Sequence, residues 1–222
     1  MSIRSLLACA LVLAATPSHA EEGLWFAGIA QGPVSGKLVT WLEVQPRAAG
    51  SADTLILRPA IGVQITPAVQ LLAGYALVET YPDGGARRRE HRSWQQALVR
   101  VAGQPGKAVL MSRTRLEQRF PEGRDEDGWR LRQFLRGQLW LADNSDHRAP
   151  SLIAVSEAFV GLESTRWGQR AGVEQWRNFI GVGKPLDDRL TLEAGYLNQR
   201  LIRPGADASN HVLNINLFYR IG

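Results

Sequence analysis

The feature that most constrains this chain is a two-residue hydrophobic period running through nearly all of it, while a 3.6-residue period is almost absent. Leu55, Leu57, Ile61, Val63 and Ile65 share one parity, and Arg58, Gly62 and Gln64 take the other. Between residues 129 and 141 the same split separates Leu131, Leu135, Leu139 and Leu141 from Arg130, Arg132 and Arg136. Near the C-terminus Leu190, Leu192, Ala194 and Tyr196 oppose Glu193 and Gln199, and Leu213, Ile215, Leu217, Tyr219 and Ile221 oppose Asn214, Asn216 and Arg220. A chain patterned in this way is all-β.

The segments run for about 10 to 13 residues, longer than the usual strand of about 5 or 6 in globular sheets and suited to a tilted strand crossing a bilayer. Tight connections ("TP" at 66–67, "GQPGK" at 103–107, "PLDD" at 185–188) alternate with longer polar ones ("PRAAGSAD", "YPDGGARR", "PEGRDEDG", "ESTRWGQR", "RPGADAS"). This spacing predicts one up-and-down antiparallel barrel over 21–222, with periplasmic turns and extracellular loops. About eleven strands are expected, starting near residues 24, 37, 54, 68, 88, 108, 129, 152, 173, 190 and 210. Because bacterial single-chain barrels have even strand numbers, the pattern predicts either ten, with "LWFAGIA" outside the wall, or twelve.

The polar faces carry charge. In "RTRLEQRF" Arg113, Arg115, Glu117 and Arg119 fall on one side, with Leu116 and Phe120 on the other. Folding 101 opposite 108 places Glu90 against Arg119, Arg92 against Glu117, Trp94 against Arg115 and Gln96 against Arg113, all on one face. Folding 120 opposite 129 brings Glu117 to Arg132, so Glu117 is expected to be shared between Arg92 and Arg132. The like-charged meetings of Arg113 with Arg136 and Arg119 with Arg130 then call for further acids, and Glu43, Glu157 and Glu193 have the parity to reach across a closed lumen. With Arg58 these residues form the expected lumen-lining network. Arginine suits it, since its planar fork serves two carboxylates and keeps its charge when desolvated. A soluble sheet with one wet face alternates similarly, and Ser112, Thr114, Gln118, His91, Ser93 and Gln95 make part of the opposite face polar.

The N-terminus bears on location. Arg4, the run "LLACALVLAA" and the small-residue end "SHA" before Glu21 read as a secretory signal peptide over 1–20. The run is too short for a membrane helix. Cys9 is the only cysteine. It would be the acylated residue only if the apolar run were cut in half, and its removal with the leader leaves neither disulfide nor thiolate chemistry. The net charge of +5 is supplied mainly by arginine, Lys37, Lys107 and Lys184 being the only lysines. Those arginines are dispersed at strand spacing rather than gathered in a patch, which argues against nucleic-acid binding.

Taken in order, "LILRPAIGVQITPAVQLLAGYALV", "EHRSWQQALV", "RTRLEQRF", "RLRQFLRG", "SEAFVGL", "RNFIGVGKPL", "LTLEAGYLNQ" and "NHVLNINLF" resemble the bacterial domain of unknown function 2490 family across essentially the whole mature chain. The resemblance implies an exported outer-membrane-type barrel and no established activity, substrate or catalytic residues. The terminal "LFYRIG" departs from the last-residue aromatic usual in such barrels.

No phosphate-cradling glycine loop precedes a helix, and His91, His147 and His211 lack paired metal-ligand spacing. No cofactor is expected. His91 and Ser93 share a strand face without an orienting acid of the same parity. Trp25, Trp41, Trp129, Trp140, Trp167 and Trp176 are expected mostly as interface anchors. The resulting expectation is a non-enzymatic outer-membrane barrel, structural or a narrow anion-preferring pore, with outer-membrane lipid and the barrel-assembly machinery as partners. The alternatives are a soluble periplasmic barrel holding a small acidic or lipid ligand, and a lipid-modifying barrel hydrolase.

Overall fold

In the computed structural model, which describes residues 20–142, 144 and 148–222, eleven strands close into one barrel. The leader assigned from the sequence, Cys9 within it, and His147 lie outside the described residues, apart from Ala20 at the start of the first strand. The strands are β1 (Ala20–Ser35), β2 (Leu38–Ala49), β3 (Ala52–Thr66), β4 (Val69–Pro82), β5 (Arg88–Gln104), β6 (Ala108–Pro121), β7 (Gly128–Trp140), β8 (Ser151–Gly161), β9 (Gly172–Pro185), β10 (Leu190–Leu201) and β11 (Ala208–Arg220). They are 11 to 17 residues long, and the described residues contain no helix.

The strand count departs from the even-number expectation. "LWFAGIA" belongs to β1, a full wall strand, and no further strand is present among the described residues. An odd number of up-and-down strands leaves the first and last running in the same direction, so β1 pairs with β11 in parallel, from Ala20 opposite Ser209 to Gln31 opposite Arg220. Every other neighbouring pair is antiparallel.

The two ends of the barrel differ. One, the turn end, carries connections 36–37, 67–68, 105–107, 141–150 and 186–189, together with the C-terminus. The other, the loop end, carries the start of β1 and connections 50–51, 83–87, 122–127, 162–171 and 202–207. Two connections break the expected alternation. "PRAAGSAD" is mostly strand, because β2 and β3 continue to a two-residue turn in which Gly50 takes the left-handed φ of 47° that favours glycine. Conversely, the long connection 141–150 lies at the turn end.

Side-chain alternation sorts the wall into two faces. Outward positions carry Leu57, Ile61, Val63 and Ile65 on β3 and Ile180 and Val182 on β9, between 37% and 66% exposed. On β5 to β7 the outward face is more polar, and several groups of β6 and β7 form sideways bonds. Thr114 donates to Gln133 at 2.7 Å, Gln133 donates to Ser112 at 2.9 Å, and Gln118 donates to Asp127 at 2.6 Å. Two outward tyrosine–histidine pairs, Tyr75 with His91 and Tyr196 with His211, join hydroxyl to ring nitrogen.

Inside, apolar packing is divided between two clusters. Trp94 sits over Val39, Ala60, Leu72 and Ala76, while Trp25 packs with Ile153, Phe179, Leu197 and Val212. The small residues Ala60, Gly74 and Ala76 make room for the Trp94 indole. A Cβ built on Gly74 would stand 2.5 Å from Trp94 Cζ2 and 2.6 Å from the Pro59 carbonyl oxygen.

Candidate functional site

Between the two apolar clusters the interior is ionic. Its centre is Glu117 on β6, 1% exposed. One carboxylate oxygen accepts from Arg130 at 2.6 Å and the other from Arg132 at 2.7 Å, with Arg115 at 3.7 Å. Arg132 bridges on to Glu157 of β8 at 2.8 Å, and Glu157 also accepts from Arg113 at 2.6 Å. Arg115, itself 1% exposed, donates to Gln96 through two nitrogens at 2.9 and 2.6 Å, and its guanidinium lies 4.2 Å from the Trp94 ring centre. Nearer the loop end, Glu90 accepts from Arg92 at 2.7 Å and from Arg119 at 2.6 Å. Two further pairs stand apart in the lumen: Glu43 with Arg58 at 2.6 Å, and Glu193 with Arg136 at 3.0 Å.

These contacts follow from register. β5 and β6 pair two residues away from the simple expectation, with Glu90 opposite Pro121, Arg92 opposite Arg119 and Trp94 opposite Glu117. The hairpin closes at Gln104 and Ala108, and a bulge between Arg100 and Ala102 takes up one residue. β6 and β7 are displaced likewise, so Glu117 faces Arg130 and Arg115 faces Arg132. A two-residue displacement preserves side-chain parity. The expected partners therefore share one face, but Glu117 is held by Arg130 and Arg132, while Arg92 turns to Glu90 on its own strand.

The loop end is covered by connection 162–171. Gln169, 2% exposed, donates to the carbonyls of Trp129 and Glu163 at 2.9 and 3.2 Å and accepts from Arg119 at 3.2 Å. Trp167 lies over Arg119, 4.7 Å from guanidinium carbon to ring centre, and its indole N–H donates to the Glu126 carbonyl at 2.9 Å.

Bordering the ionic residues, and sharing Arg113, Arg132 and Glu157 with them, a cavity of about 500 Å³ runs from Trp25, Arg47 and Arg177 toward Gln31, Gln138 and Phe218 at the turn end. Its charged lining is unbalanced: Arg47, Arg58, Arg113, Arg132, Arg136 and Arg177 face only Glu43, Glu157 and Glu193. Arg47 and Arg177 account for much of the excess, since among the described residues neither has a carboxylate within salt-bridge distance. Both lie against the Trp25 ring, 4.1 and 4.8 Å from its centre. A second cavity of about 200 Å³ lies at the turn end between connections 141–150 and 186–189.

The model of the family described as "Protein of unknown function (DUF2490)" matches residues 22–210. The chain belongs to the DUF2490 family. An uncharacterised protein of Methylorubrum extorquens is 38% identical to this DUF2490 chain over 226 residues, covering 97% of each. No solved structure matches it.

Several interior residues of this DUF2490 barrel were not singled out from its sequence. Arg47 falls in "PRAAGSAD", whose composition resembles a loop, and Gln169 lies in a true loop. Arg177 has a legible signal, because it alternates with outward Trp176 and Asn178. Three of the six tryptophans expected as interface anchors line cavities instead. Trp25 and Trp41 line the cavity, Trp140 lines the smaller one, Trp167 covers the loop end and Trp176 is 41% exposed on the outside. His91 and Ser93 share the outward face of β5, where His91 is engaged by Tyr75.

Proposed function

We propose that this protein is an exported outer-membrane β-barrel whose lumen is blocked at rest. The observation that carries the membrane assignment is the exterior: strands of 11 residues or more present leucine, isoleucine and valine outward over most of the wall, the more polar β5 to β7 apart. Contiguous apolar surface of that extent is unusual for a soluble protein facing water and matches the lipid-facing band of a membrane barrel. Among the polar outward groups of β5 to β7, Ser112, Thr114 and Gln133 bond one another and His91 bonds Tyr75, which lowers their cost in this environment. Lipid and the barrel-assembly machinery are the partners this location requires.

Burial of the ionic layer favours a closed barrel over an open pore. Trp94, Arg115 and Glu117 are each 1% exposed, although a water-filled channel would wet them. Eleven strands lie between the eight of barrels filled by side chains and the sixteen or more of open porins. Here arginine and tryptophan occupy the intermediate space. Cell fractionation with heat-dependent gel mobility tests location and closure together. The expected result is a detergent-requiring membrane protein that migrates differently before and after boiling, and recovery from the soluble periplasm without detergent would refute the membrane assignment. In planar bilayers the purified protein is expected to show no steady conductance, so sustained openings would refute the closed lumen.

A further inference from the structure

We propose that the larger lumenal cavity binds an amphiphilic organic anion, its carboxylate or phosphate head between Arg47 and Arg177 and its apolar part directed to the turn end. This deepens the closed-barrel reading by giving the blocked lumen an occupant.

Three observations converge on that chemistry. The first is charge. Arg47 on β2 and Arg177 on β9 come from opposite flanks of the β1 seam, and their nearest polar partners are neutral amides. Arg47 donates to Gln45 at 2.6 Å. Gln175, with its amide oxygen toward Arg177, accepts from that guanidinium. Every other arginine lining the cavity has a glutamate within ion-pair distance. Two half-buried guanidinium groups with no carboxylate of the described residues in direct contact, Glu43 and Glu157 acting on them only at longer range, keep donors that an oxyanion can take up through charge-assisted, forked hydrogen bonds.

The second observation is access. Arg47 and Arg177 are only partly buried, so the cavity reaches them. The deeply buried side chains beside them carry unused donors. The indole N–H of Trp25, 4% exposed, and Nε of Arg58, 6% exposed, have no acceptor among the described residues, and both residues line the same cavity. The third is shape and polarity. Beyond the two arginines, Ile29, Leu98, Met111, Phe134, Val155 and Phe218 supply a stretch of apolar wall, set among Gln31, Gln138, Thr191, Asn214, Asn216 and the Arg136–Glu193 pair. The volume of about 500 Å³ is within the ~300–1,000 Å³ of small-ligand pockets. An inorganic anion would leave that apolar wall empty, and a neutral lipid would leave the two arginines uncompensated.

The test uses the full mature chain in phosphatidylcholine nanodiscs, titrated with octanoate, octyl phosphate, octanol and inorganic phosphate. Tryptophan fluorescence and calorimetry follow binding, with empty discs as the baseline. At least one of the two octyl anions is expected to saturate and to perturb fluorescence, because both arginines lie against the Trp25 ring. Octanol and inorganic phosphate are each expected to bind about tenfold more weakly or worse, the equivalent of losing charge-assisted hydrogen bonds. Preference for octanoate would assign a free fatty or other carboxylic acid, and preference for octyl phosphate a phosphorylated lipid fragment.

The decisive variant is Gln45→Glu with Gln175→Glu, which supplies counter-charges from within at nearly unchanged volume. It is expected to keep heat-modifiable mobility and to weaken anion binding about tenfold or more. Arg47→Gln with Arg177→Gln should weaken binding similarly. The proposal is overturned if neither octyl anion binds the folded barrel, if octanol binds as tightly, or if the glutamate variant binds with unchanged affinity. If fractionation instead finds the protein soluble, the membrane assignment fails separately, and the same titrations apply without nanodiscs.

Discussion

Glu117 shows how a single carboxylate can organise this interior. It is the acid nearest three guanidinium groups, those of Arg130, Arg132 and Arg115, and it has almost no access to water. Removing one member of a buried ion pair typically costs about 3–5 kcal/mol, because the remaining charge is left uncompensated. Glu117→Gln is therefore expected to destabilise the barrel by about that amount, read as a lower urea midpoint for loss of the heat-modifiable band. Glu122→Gln, at a carboxylate that is 58% exposed and 3.8 Å from Arg89, should leave the midpoint nearly unchanged. A second carboxylate acts locally outside the wall. In connection 202–207, the Arg200 side chain (2.8 Å) and the Arg203 amide (3.3 Å) bond Asp207 and hold its carboxyl below the ordinary aspartate range. The folded loop then binds the proton more weakly than the unfolded one. Its contribution is present above the ordinary aspartate value and is lost as pH falls through the lower, folded value. Hydrogen exchange at 202–207, corrected for intrinsic rates, should accelerate on acidification through that window, and Asp207→Asn should remove the dependence.

At the scale of strands, facing was legible in the sequence and partnering was not. A period of two assigns every side chain to one of two faces, so Arg113, Arg115, Glu117 and Arg119 could be grouped before any pairing was known. Register depends on where a hairpin closes. Simple folding about "GQPGK" does not anticipate that β5 runs on to Gln104 or that a bulge follows Arg100. Composition also misleads around Pro46. With Pro, Gly, Ser and Asp nearby, the stretch resembles a loop, yet the strand passes through it. The missing proline N–H leaves only a local interruption, where pairing steps from Trp25–Arg47 to Gly28–Val44. Arg47, and with it one side of the candidate anion site, was hidden by that interruption. Small residues carry a subtler signal, since Gly74 is in the wall because Trp94 needs the space. Gly74→Val is expected to displace the indole beneath Arg115 and to cost about 1–3 kcal/mol, the usual range for overpacking a filled interior. The same urea titration measures it, and a shift in Trp94 fluorescence, resolved against a Trp94→Phe background, locates the effect.

For the whole molecule, the parallel seam distinguishes an eleven-strand barrel from its even-numbered neighbours. Successive antiparallel strands bring the first and last into the same direction only when their number is odd, and that also sends the start of β1 and the end of β11 to opposite ends of the barrel. Parallel pairs are slightly less stable per residue than antiparallel ones, but this seam is long, and the Trp25 cluster with Ile153, Phe179, Leu197 and Val212 packs behind it. The same seam lies beside the proposed anion site, so its register determines where Trp25 stands relative to Arg47 and Arg177. Because Cys9 is the only native cysteine, engineered thiols in a Cys9→Ser background can report that register without interference. Leu24 and Leu213 are paired across the seam and are 48% and 54% exposed on the outer face. Leu24→Cys with Leu213→Cys is therefore expected to oxidise readily to an intramolecular disulfide, visible as altered non-reducing gel mobility of the boiled chain. Leu24→Cys with Leu217→Cys, four residues out of register on the same strand, should oxidise poorly, since a disulfide needs Cα atoms within about 7 Å. Equal oxidation of both pairs, or of neither, would be incompatible with a fixed parallel closure and would return the strand count to ten or twelve.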